Sequence, residues 1–101
     1  MNRIEMITRA PMSIQVLKDG NDITAKLGVK QIKYNADGTA SRTMAEGSVN
    51  PLGWRFVDPA QTWLEMTSPR GTTHWEVLEV TATLFRKRDL AIGAEIVQRS
   101  P

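Results

Sequence analysis

Across residues 29–98, apolar and polar positions alternate with a period of two, the pattern of strands that bury one face. Ile32 and Tyr34 share a face, with Gln31 and Lys33 on the other, and Asn35-Ala36-Asp37-Gly38 then supplies turn chemistry. Residues 39–44 are expected to pair back across that turn, forming the clearest hairpin of the first half. Residues 45–53 contain Gly47, Asn50, Pro51 and Gly53 and read as a loop. Trp54 and Phe56 then share a face opposite Arg55, and Asp58-Pro59-Ala60-Gln61 turns the chain. Leu64 and Met66 come next on one face, with Trp63 and Glu65 on the other, followed by a turn at Ser68-Pro69-Arg70-Gly71.

Residues 74–85 read as one long strand or two bent ones. Trp75 and Val77 lie on one face and Leu78, Val80, Ala82 and Leu84 on the other, a switch that predicts a β-bulge or a corner. Residues 86–89 are expected to turn the chain into a final alternating run through Leu90, Ile92, Ala94 and Ile96.

The first 28 residues are less regular. Residues 13–17 alternate enough for a short strand, and Lys18-Asp19-Gly20-Asn21 is a turn cluster. Asp22 can cap a short helix over residues 22–27, with Gly28 as its stop. Residues 1–11 show no period and are expected to form a loose arm. Turn signals at about ten-residue spacing make the chain mainly β: an antiparallel up-and-down meander, curled or closed into a small barrel, with at most one short helix.

Composition narrows the class. A chain of 101 residues, 41% hydrophobic and 24% charged, fits one domain spanning residues 1–101. It has no cysteine, so packing and hydrogen bonds must hold it, which agrees with a cytoplasmic setting. No apolar run is long enough for a membrane-spanning helix or a signal-peptide core. The net charge of +2 argues against a nucleic-acid binder, whose basic excess is usually larger and clustered.

In order, Ile32-Lys33-Tyr34-Asn35-Ala36-Asp37-Gly38-Thr39, Gly53-Trp54-Arg55-Phe56, Trp63-Leu64-Glu65-Met66, Trp75 to Val80 and Asp89-Leu90-Ala91-Ile92 resemble the strands of small bacterial lipocalin-like domains. The resemblance covers residues 29–97 and lacks the usual early Gly-x-Trp of the first strand. It implies a partly open or flattened antiparallel barrel able to hold an apolar ligand between its faces.

Candidate chemistry is sparse. His74 is the single histidine and has only Glu76 near it on its strand face, where a metal site normally recruits two or three histidines or cysteines. Glu65, Glu76 and Glu79 carry no spacing that forces two of them into one cleft. No nucleophile elbow and no phosphate-binding glycine loop is present, so neither catalysis nor a cofactor is implied.

Two readings follow. In the first, the chain is a non-catalytic binding module that holds a small apolar or amphipathic molecule among Tyr34, Trp54, Phe56, Leu64, Met66 and Leu78, in a cavity of roughly 300 Å3 or more. In the second, Trp63 and the Arg86-Lys87-Arg88 turn form a surface that binds protein or nucleic acid. Residues 1–28 either cover Trp63 or leave it partly exposed. Unpaired strand edges in an open meander would also allow a homodimer.

Overall fold

A computed structural model describes residues 2–100. The elements are α1 (Arg3–Thr8), β1 (Met12–Lys18), β2 (Asn21–Asp22), α2 (Thr24–Leu27), β3 (Val29–Tyr34), β4 (Thr39–Met44), β5 (Val49–Phe56), β6 (Trp63–Ser68), β7 (Gly71–Val80), β8 (Leu84–Asp89) and β9 (Glu95–Arg99). Strands β3 to β9 form an antiparallel meander. β1 lies beside β3 and also pairs with β9, from Ser13↔Arg99 to Leu17↔Glu95. That second pairing closes an eight-stranded barrel, with β2 as an appendage on β1. Closure removes most of the free edges on which a homodimer was expected to rest.

The hairpin at residues 29–44 has the expected boundaries. Asn35 N–H bonds Thr39 O, Asp37 Oδ1 accepts from Thr39 N–H and Oγ1, and Gly38 adopts a φ of 90°. The face switch in β7 is a bulge. Register shifts between Val77 and Glu79, so Val80 pairs with Phe85 and returns to the inside with Trp75 and Val77.

Four expectations need correction. Residues 3–8 form a helix rather than a loose arm, so the described residues hold two short helices. Asn2 caps α1 by accepting from Glu5 N–H, and Ile7, 1% exposed, plugs one end of the barrel. Six residues are too few for a 3.6-residue period to show, and such a helix depends on packing. Arg3 donates to Gln61 O at 2.7 Å and Lys33 to Thr8 O at 2.9 Å, which fastens the plug.

Secondly, β5 begins at Val49 and includes Pro51, so the expected loop shrinks to residues 45–48. Proline is tolerated because this half of β5 has one partner only. It pairs with β4, whereas β6 joins at Gly53↔Thr67. Thirdly, residues 86–89 belong to β8 and do not turn the chain. The turns fall on either side of it, at residues 81–83 and 90–93. Finally, Leu90 and Ile92 lie exposed in the second of those turns rather than in a strand.

Gly53 sits where β5 meets β6, and a Cβ there would run into the Thr67 hydroxyl. Gly53→Ala is expected to cost about 1–2 kcal/mol. Adding Thr67→Ala should recover most of that loss in a double-mutant cycle followed by urea denaturation. Purely additive costs would show that the close approach is harmless.

Candidate functional site

The barrel interior is filled. Tyr34 and Phe85 are fully buried, and Leu64, Met66, Trp54 and Trp75 are 9% exposed or less. Trp54 stands edge-on to Tyr34 at 5.6 Å, and Phe85 does so at 5.7 Å. Of the six residues expected to line a ligand, Tyr34, Trp54, Leu64 and Met66 thus form packed core. Phe56 and Leu78 are half-buried, Leu78 at the β7 bulge. Trp54 and Phe56 also border a shallow groove of about 430 Å3 beside Ile4 at the plugged end.

Inside this core lies an unexpected polar chain. Lys87 is 2% exposed, and its Nζ donates to Tyr34 Oη at 2.9 Å and contacts the Met66 thioether. Tyr34 in turn donates to Gln98 Oε1 at 3.2 Å. Trp75 offers its face to the same ammonium, with the ring centroid 4.5 Å away. Burial, reinforced by the charge of Arg42 and opposed by that of Asp89, lowers the Lys87 pKa from 10.5 to about 7. Burial pushes the Tyr34 hydroxyl above its ordinary range.

The neighbours of Lys87 in sequence face outward. Arg86 is ion-paired with Glu79 at 3.0 Å and Glu95 at 2.7 Å, and Arg88 with Glu76. The basic triplet is therefore a strand with one buried amine and two neutralised guanidiniums, not an exposed basic turn. On the next strands Arg55 pairs with Glu65, and His74 Nε2 lies 3.5 Å from the same carboxylate. The hydrogen bond from Arg55 holds the Glu65 carboxyl below its usual range. Trp63 points outward and is 41% exposed, uncovered by the N-terminal residues. Trp63 is the register partner of Glu76, which in turn pairs with Arg88, so Trp63, Arg88 and Arg86 share the outer face while Lys87 is withdrawn into the core.

Compared with protein-family models, curated proteins and solved structures, the chain matches none.

The feature that sequence reasoning missed is at the unplugged end. Because β6 does not accompany β5 beyond Gly53, a groove of about 390 Å3 opens between the start of β5 and the β6–β7 turn. Leu27, Met44, Pro51, Leu52 and Pro69 supply apolar walls, and Arg42, Asn50 and Arg70 supply polar groups. Arg42 is the register partner of both Ile32 and Asn50, so it occupies the inward face of β4. Its Nε is buried and has no hydrogen-bond partner among the described residues. The sequence signal was present, an arginine between Ala40 and Met44 on the core-facing positions, but the expected loop at residues 45–53 hid its neighbours.

Proposed function

We propose that this chain is a non-catalytic binding module of lipocalin-like build, which takes a small apolar or amphipathic molecule in the groove at its open end. The supporting observation is the parted β5–β6 seam, which leaves a space of about 390 Å3 with mixed apolar and polar walls beside an otherwise filled barrel. That volume lies within the range of small-molecule sites, roughly 300–1,000 Å3. The ligand thus sits at the mouth of the barrel, not among Tyr34, Leu64 and Met66, whose side chains already fill the interior.

The neutral fluorophore N-phenyl-1-naphthylamine is a suitable probe. Its emission should rise on binding, and Met44→Trp, which fills the rim, should weaken binding about tenfold or more, a change of ~1.4 kcal/mol or more. Trp63→Ala should leave binding unchanged. Binding that survives Met44→Trp and is lost in Trp63→Ala would transfer the site to the outer face.

A further inference from the structure

Resting on that reading, we infer that the groove selects an amphipathic carboxylate, whose head group is received by Arg42 at the floor and whose apolar part lies against the rim. The inward positions of β4 run Ala40, Arg42, Met44 from the middle of the barrel to its open end, which places the guanidinium deeper than the methionine. Leu27 of α2 and Pro69 of the β6–β7 turn complete an apolar entrance above it. A molecule seated here therefore has hydrocarbon from Leu27, Met44 and Pro69 around its body and the Arg42 guanidinium at its inner end.

The guanidinium has unused capacity. Every ion pair among the described residues lies elsewhere: Arg55 and His74 share Glu65, Arg86 holds Glu79 and Glu95, and Arg88 holds Glu76. Arg42 has none of these, and its buried Nε lacks any protein acceptor. That Nε is sealed from solvent, so an entering anion meets the Nη edge of the guanidinium, and pairing there, in a partly desolvated groove, gains more than it would at an exposed arginine. No carboxylate lines the groove to compete. Lys87 lies behind Arg42, with its amine already engaged by Tyr34 and Met66.

Geometry selects the class of anion. A planar guanidinium fork matches a planar carboxylate with two parallel hydrogen bonds. Asn50, paired with Arg42 across β4 and β5, brings an amide to the same level. Arg70 stands at the exposed rim, where solvent screening makes its contribution small. One deep cation with apolar walls suits a monoanion with a hydrocarbon body better than a polyanion.

Competition against bound N-phenyl-1-naphthylamine tests this with the intact chain. Octanoate should displace the probe at a concentration about tenfold or more below that of 1-octanol. Arg42→Gln should abolish the preference while still binding the probe, and Arg70→Gln should keep it to within about threefold. Equal displacement by octanoate and octanol in the wild-type protein would overturn the carboxylate assignment and leave the groove as a neutral apolar site. So would a preference that survives Arg42→Gln. Failure of the wild-type protein to bind the probe, octanoate and octanol alike would instead remove the groove reading itself. The wild-type comparison stands even if Arg42→Gln does not fold.

Discussion

Replacing Lys87 with methionine is expected to stabilise the protein at pH 6 by about 2–4 kcal/mol and to leave it little changed at pH 9.5. The amine is sealed among Tyr34, Trp75, Phe85 and Met66, and its pKa falls from 10.5 to about 7. Below pH 7 both folded and unfolded chains carry the proton, and the folded chain bears the full cost of burying it. Between about pH 7 and 10.5 the unfolded chain keeps a proton that the folded chain has released. Stability must therefore rise with pH across that window, by an amount on the order of 4–5 kcal/mol for this group alone.

Methionine abolishes the rise, at the cost of the bond to Tyr34, about 1 kcal/mol. Tyr34 acts in the opposite direction at higher pH. Its raised pKa means that the folded chain retains a proton which the unfolded chain gives up above about pH 10, so stability falls again there. Urea denaturation of the wild type and Lys87→Met at pH 6 and 9.5 measures the Lys87 effect below the range in which Tyr34 acts. Parallel pH profiles for the two proteins would show that Lys87 is not desolvated.

Phe85→Ala should cost about 3–5 kcal/mol, a large part of the ~5–10 kcal/mol that holds a domain of this size together. Phe85 is fully buried, packs edge-on against Tyr34 at 5.7 Å and lies 5.8 Å from the Lys87 amine. Its removal opens space beside a polar group, which water can occupy. The Lys87 pKa should then return toward its ordinary value, and the rise in stability between pH 6 and 9.5 should flatten. A mutant that is destabilised yet keeps the wild-type slope would mean that the space collapses or stays dry. Little loss of stability would instead contradict the packing of the core.

These two residues also show where sequence reasoning runs out. Alternation located the core faces of β3 and β6 because Ile32, Tyr34, Leu64 and Met66 are apolar at every second position. The same rule failed for β8. Its inward positions are Phe85, Lys87 and Asp89, and a charged triplet reads as solvated unless its surroundings are known. The glutamates that neutralise Arg86 and Arg88 lie on β7 and β9, so nothing local marks the triplet as a strand.

Pro51 misled for a related reason. It is a loop signal by itself, and it is acceptable in β5 only because the neighbouring strand starts later. The open-end groove depends on that same mismatch in strand length, and so does the placing of Arg42 at its floor.

The sequence by itself determined the strand-and-turn rhythm, the hairpin at residues 29–44 and the switch of faces within β7. Each of these follows from the period of the chain or from turn residues acting within a few positions. Tertiary structure alone decided closure through β1 and β9, the plug made by α1, the burial of Lys87 and the groove beside Arg42. Those depend on pairings between residues as far apart as Ser13 and Arg99, whose free energy comes from contacts that no local window contains.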